Sequence, residues 1–157
     1  MAVSAQIHFQ LAGDYSVSPR QAAYAAANVA ESKKAEGTIV MDVRKVTVLA
    51  DFFVICGASS PMQVKAIVDN IEKTLAPLGY HARIVEGKME GRWVLLDFGQ
   101  IIVHVLQEHE RSLYSLERFW NHALIVDRSS WVDSPVLIKR GNSETKRGEE
   151  PCEDERR

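Results

Sequence analysis

The stretch Phe52-Phe53-Val54-Ile55-Cys56-Gly57-Ala58-Ser59-Ser60-Pro61 decides the fold. Phe52 to Cys56 are short, bulky and apolar at nearly every position, the pattern of a central strand covered on both faces. Ser60-Pro61 then supplies an N-cap hydroxyl and a first-turn proline, so a helix opens there. Val64, Ile67, Val68, Ile71, Leu75 and Leu78 keep helical spacing until Gly79. Upstream, Ser18-Pro19 opens an Ala-rich helix over Gln21 to Ala35, with Gly37 as its stop, and Thr38 to Val43 reads as a strand. Downstream come strands at His81–Val85, Arg92–Asp97 and Ile101–Leu106. Phe98-Gly99-Gln100 turns the last two into a hairpin. A last helix spans Glu108 to His122, with Leu113, Leu116 and Trp120 on one face. The order α-β-β-α-β-β-β-α predicts an α/β protein, a mixed β-sheet with flanking helices. The hairpin 92–106 is expected near the working edge of that sheet.

Length and charge narrow the function. A chain of 157 residues, 46% hydrophobic, can bury one real core. Nineteen basic against 21 acidic residues give a net charge of −2, whereas a domain that holds nucleic acid by general charge is strongly basic. No apolar run is long enough for a membrane span, and the first 18 residues carry neither Lys nor Arg, so no secretory signal is read there. Cys56 and Cys152 are too few for a disulfide framework or a zinc cluster. The expectation is a soluble cytoplasmic protein that binds no DNA, no membrane and no small-molecule substrate. Residues 1–17 read as a flexible arm. Lys139 to Arg157, with six basic and six acidic residues and almost nothing apolar, is expected to be disordered.

The chemical candidates are weak. Gly57-Ala58-Ser59-Ser60 lies between a strand and a helix start, where free N–H groups can hold phosphate. It lacks a Walker lysine and the spaced glycines of a dinucleotide fingerprint. A metal-dependent nucleotidyltransferase would need paired carboxylates beside that turn, and Asp51 stands alone. His81, His104, His109 and His122 have no metal-ligand spacing. His104, sharing a strand face with Ile102 and Leu106, reads as a hydrogen-bonded core or interface histidine. Cys56, enclosed by apolar neighbours, reads as an inert thiol. Ser59 and Ser60 have no nucleophile elbow around them. Arg111 is expected to pair with a strand-end carboxylate such as Asp97. The glycine-bracketed loop Glu86 to Gly91, followed by Arg92-Trp93, carries mixed charge, which suits a protein partner. The residues alone reach a non-catalytic α/β adaptor, with a homodimeric scaffold as one form.

Five blocks in collinear order over about residues 20–127 carry a more specific signal. They are Val46-Thr47 leading to Ala50-Asp51-Phe52-Phe53-Val54-Ile55, and Gly57–Ser60 with Gln63-Val64. Next come Glu86-Gly87 and Trp93-Val94-Leu95-Leu96-Asp97-Phe98-Gly99, then Val103-His104-Val105. Arg111-Ser112-Leu113-Tyr114-Ser115-Leu116-Glu117 with Trp120 is last. Together they resemble the ribosomal silencing factor (Iojap-like) family. The resemblance implies a nucleotidyltransferase-like fold lacking the catalytic carboxylates, no cofactor and no catalysed reaction. It further implies binding to the large ribosomal subunit through ribosomal protein fourteen, which blocks joining of the small subunit and represses translation when nutrients are limiting. Residues 18–127 are then the family's domain and 128–157 a C-terminal extension, in which the apolar patch Trp131–Ile138 has no assigned role. The 13 basic and 15 acidic residues before Lys139 suit a basic ribosomal protein better than bare RNA. Trp93 is the expected anchor. Glu86, Gly87 and Leu95 along the same margin, with Asp97 at its end, are the other expected partner-binding residues. The alternatives are a nucleotidyltransferase using Gly57–Ser60 with Asp51, and the homodimer.

Overall fold

The computed structural model describes residues 15–132 and 139–140. In chain order the elements are β1 (Tyr15–Ser16), α1 (Pro19–Ser32), β2 (Glu36–Asp42), β3 (Phe52–Ala58), α2 (Pro61–Leu75) and a 3₁₀ turn (Ala76–Leu78). They continue with β4 (Ile84–Glu86), β5 (Trp93–Asp97), β6 (Ile101–Gln107), α3 (Glu108–Tyr114), α4 (Leu116–Phe119), β7 (Leu124–Val126), α5 (Arg128–Trp131) and β8 (Lys139–Arg140). The chain divides into two units. In one, β1 and β8 form an antiparallel ribbon. The other, Ser18–Val136, holds everything else described below.

Its sheet has the order β4-β5-β6-β3-β2-β7, with β3–β6 parallel and the remaining pairs antiparallel. All seven residues of β3 are buried, as its unbroken apolar run requires. Ser18 and Ser60 cap α1 and α2, accepting the backbone N–H of Gln21 and Gln63 at 3.2 and 3.1 Å. Gly79, at φ +92°, ends the second helix region as its position predicts. The 98–100 hairpin turn closes with Phe98 N–H donating to the Ile101 carbonyl at 2.9 Å, while Gly99 N–H donates to the Asp97 carboxylate at 2.8 Å.

Four local expectations are corrected. Helix α1 stops at Ser32 rather than near Ala35. Lys34 takes the left-handed turn (φ +68°), and Gly37 lies inside β2, at a bulge where the register against β3 shifts. The strand expected at 81–85 forms at Ile84–Glu86, pairing Glu86 with Leu95. The expected continuous helix 108–122 breaks at Ser115, whose φ of +45° rotates the chain between α3 and α4. Leu116 and Trp120 still reach the core, but Leu113 turns outward and is 63% exposed. The edge strand β7 was not expected, although Leu124-Ile125-Val126 is a β-prone run.

The extension's first turn has a structural role. Arg128 grips Glu31 of α1 through two charge-assisted hydrogen bonds, at 2.6 and 3.1 Å, and Asn28 donates to the Trp131 carbonyl at 2.7 Å. Trp131 is buried. Residues 133–138, the rest of the apolar patch, lie outside the described residues. So do residues 1–14 of the expected arm and all of the expected disordered tail except Lys139 and Arg140.

Candidate functional site

The two faces of the sheet are finished differently. Side chains alternate along each strand, and residues paired across strands share a face. Val40, Val54, Cys56, Val94, Leu96, Val103 and Val105 point one way and are all essentially sealed. Helices α1 and α2 pack on β2, β3, β5 and β6, and bury six alanines and five larger apolar residues in doing so. The other face carries Met41, Phe53, Ile55 and Leu106, covered at one end by Leu116, Trp120 and Ala123. Toward β4 that cover runs out. Ile84 is 45% exposed, and Trp93, Leu95 and Ile102 are half-buried.

Aromatic rings cross this second face in an unbroken row. Tyr114 packs on Trp93 with centroids 4.9 Å apart, and Trp93 lies 6.1 Å from His104. His104 meets the edge of Phe53 at 5.7 Å, Phe53 meets Trp120 at 5.2 Å, and Trp120 meets Phe119 at 5.6 Å. Such tilted and edge-on pairs exceed area burial alone by about 0.5–1.5 kcal/mol each. The middle of the row is buried and its ends are open, Tyr114 at 52% and Phe119 at 75% exposed. Within it, Trp93 Nε1–H donates to His104 Nδ1 at 3.2 Å. Burial holds the His104 imidazole down at about 4, so it is neutral and can accept. The expectation of a hydrogen-bonded core or interface histidine is met.

Of the five residues singled out for partner binding, Trp93, Leu95, Asp97 and Glu86 share this face, Glu86 standing opposite Leu95 with its side chain in solvent. Gly87 and Asp97 also hold the local backbone. Gly87 has φ +82°, and a Cβ there would overlap the Trp93 carbonyl oxygen, so it lets β4 turn tightly beside the tryptophan. Asp97 receives Gly99 N–H and pairs with Arg83 at 3.4 Å. The expected Arg111–Asp97 pair does not form. Asp97 stands beside Ile102 at the start of β6, whereas Arg111 follows the end of that strand, about 20 Å away at 3.3 Å per residue. Arg111 instead donates to the Gly37 carbonyl at 2.8 Å and pairs with Glu117 at 3.3 Å. Tyr114, Ile84 and Ile102 belong to the surface and were not singled out from sequence.

Two clefts lie away from this row. One of about 350 Å³ is bordered by Gly57, Ala58, Arg111 and Glu117, and a second of about 620 Å³ by Asp42, Arg44, Lys45, Val46, His122 and Leu124. The turn before α2 has little left to offer a phosphate. Gly57 and Ala58 belong to β3, Ser60 caps the helix, and Ser59 N–H and Oγ–H both donate to Gln63 Oε1, at 2.7 and 2.9 Å. Asp51 precedes β3 and Gly57–Ser60 close it, so the two halves of a nucleotidyltransferase site would stand about 20 Å apart. Burial pushes the Cys56 thiol up to about 12, which makes it a poor nucleophile. Among the described residues no three His, Cys, Asp or Glu side chains are grouped to hold a metal ion, and no helix is long and apolar enough to cross a membrane.

The fold and this face define a mixed α/β protein with an aromatic, half-covered sheet face. Comparison with known proteins agrees. The family described as "Ribosomal silencing factor during starvation" matches residues 16–156, and this chain belongs to that family. It is 37% identical over 102 residues to the ribosomal silencing factor RsfS of Halalkalibacterium halodurans, covering 65% of this chain and 87% of that protein. With the Bacillus subtilis protein of the same name the identity is 38% over 102 residues, covering 65% and 86%. A crystal structure of a Chromobacterium violaceum protein superposes with a TM-score of 0.64 at 29% identity, covering 66% of this chain and 87% of that one. The family match extends past residue 127 into the segment that contains buried Trp131.

Proposed function

We propose that this chain binds the large ribosomal subunit through ribosomal protein fourteen and, from there, blocks joining of the small subunit, so that translation falls under nutrient limitation. The observation that carries this reading is the half-covered sheet face, with Trp93 and Leu95 beside the open ring of Tyr114, in a chain of the ribosomal silencing factor family. An aromatic anchor on a rigid strand, rimmed by polar residues such as Glu86, is the composition of a protein-binding hot spot. The mildly acidic charge favours encounter with a basic ribosomal protein. A folded unit of about 120 residues has a radius of gyration near 14 Å and is therefore about 35 Å across. A body of that size on the face where two subunits meet excludes the second subunit by volume, and no reaction or cofactor is needed. The site of action is the compartment that holds the ribosomes, here a bacterial-type cytoplasm.

Trp93→Ala tests the assignment. The variant keeps the helix-covered core and loses large-subunit binding by about 2 kcal/mol, roughly 30-fold, in pelleting assays with purified subunits. Normal binding by a folded Trp93→Ala protein would remove the anchor from the account. The same open face fits a second copy of the chain, because both uses bury Trp93 and Leu95. Sedimentation equilibrium with and without large subunits separates the two, since a shared face makes dimer and ribosome complex mutually exclusive.

A further inference from the structure

Trp93 cannot present itself unaided. An indole pressed into a protein interface loses the water on its N–H, and an unpaired buried donor is costly. The structure supplies the acceptor within the same molecule. Trp93 on β5 and His104 on β6 stand on a diagonal, since His104 pairs with Leu95 and Trp93 pairs with Leu106. Nδ1 of His104 lies 3.2 Å from Nε1 of Trp93. Tyr114 closes on Trp93 from α3, and Phe53 stands edge-on to His104 from β3, so rings hold both members of the pair. His104 is 8% exposed and itself offers almost no surface to a partner.

We propose that His104 is the positioning residue of the Trp93 anchor: its Nδ1 accepts the indole N–H, holding the ring in one orientation and leaving only apolar edge and face for the partner. The inference rests on the proposed binding reading and adds the device that readies that surface. It assigns a tautomer as well. With Nδ1 accepting, the imidazole proton sits on Nε2. Preorganisation of this kind lowers the ordering cost of association, because the tryptophan has no alternative orientations to give up.

The test compares His104→Asn with His104→Leu. The two replacements are close in size, but Asn places an oxygen acceptor near the position of Nδ1 and Leu places none. Binding to purified large subunits is measured for each, alone and combined with Trp93→Phe, which lacks the N–H. His104→Leu is expected to bind about tenfold more weakly than His104→Asn. That difference is expected to vanish in the Trp93→Phe background, as a double-mutant cycle requires when the bond itself is the coupling. In parallel, the Trp93 indole N–H resonance, assigned by its loss in Trp93→Phe, should exchange with solvent faster in His104→Leu than in His104→Asn. A purely packing role for His104 would leave the two variants equal in binding and in exchange, or favour Leu, and would overturn the inference. Should the unsubstituted protein fail to bind the subunit, the binding reading falls and the positioning role falls with it. Binding with no difference between Asn and Leu removes the positioning role alone.

Discussion

One sheet has two faces that are covered to different extents. Beneath α1 and α2, small and β-branched side chains interlock, and positions such as Val54, Cys56, Val103 and Val105 are wholly enclosed. On the opposite face the helical cover is two short pieces, α3 and α4, and a row of aromatic rings runs out from under it into solvent. Close packing of the first kind maximises stability and leaves nothing for a partner to hold. The second kind gives up some burial and keeps a rigid apolar surface available, which marks an interaction site when it is contiguous. Cys56, Ser60 and Arg111 are respectively enclosed, capping a helix and bonded to a carbonyl.

The comparison is broken most severely from the sealed side. Ile71→Ala removes a fully buried side chain of α2 and should cost about 2–5 kcal/mol in urea unfolding, while the protein that remains folded binds its partner normally. Loss of binding in molecules that are still folded would mean the two faces are coupled.

A pH titration probes the aromatic face, with an effect of about 3 kcal/mol. Burial sets the folded His104 near 4, against 6.5 for the free side chain. Its contribution is fully present above 6.5. As the pH falls toward 4 the unfolded chain takes up a proton that the folded chain refuses, so stability declines across that window. Urea midpoints at pH 7 and pH 4.5, compared between the unsubstituted protein and His104→Asn, isolate this term, and an equal decline in both would assign it to other groups.

The smallest effect sharpens the contrast. Leu95→Ala, on a half-buried position, should cost about 1 kcal/mol or less in stability, well below Ile71→Ala, yet weaken large-subunit binding severalfold. A stability loss as large as that of Ile71→Ala, with binding unchanged, would make Leu95 a core residue.

How much of this was legible in the sequence follows from where each signal resides. Phe52 to Cys56 announced a central strand because full burial imposes an unbroken apolar run, and Ser18-Pro19 and Ser60-Pro61 announced helix starts because capping is local. The break at Ser115 was not legible. A non-glycine residue in a left-handed conformation has no strong signature, and its neighbours continued a helical spacing. The Arg111 partner was misjudged for a topological reason. Antiparallel pairing of β5 with β6 carries Asp97 to the far end of the sheet, and register is not written in composition. At the site, Trp93 and Leu95 were visible through the collinear blocks, and His104 was correctly read as a hydrogen-bonded histidine. Its partner, like the aromatic row joining it to Phe53 and Trp120, appears only when four separate segments are brought together.

The most direct measurement of the central claim is sucrose-gradient sedimentation of purified ribosomal subunits with this protein added before mixing. The account predicts that the protein travels with the large subunit and that fewer joined ribosomes form, and that both effects are lost with Trp93→Ala. A protein that stays at the top of the gradient while the subunits join undiminished would contradict it.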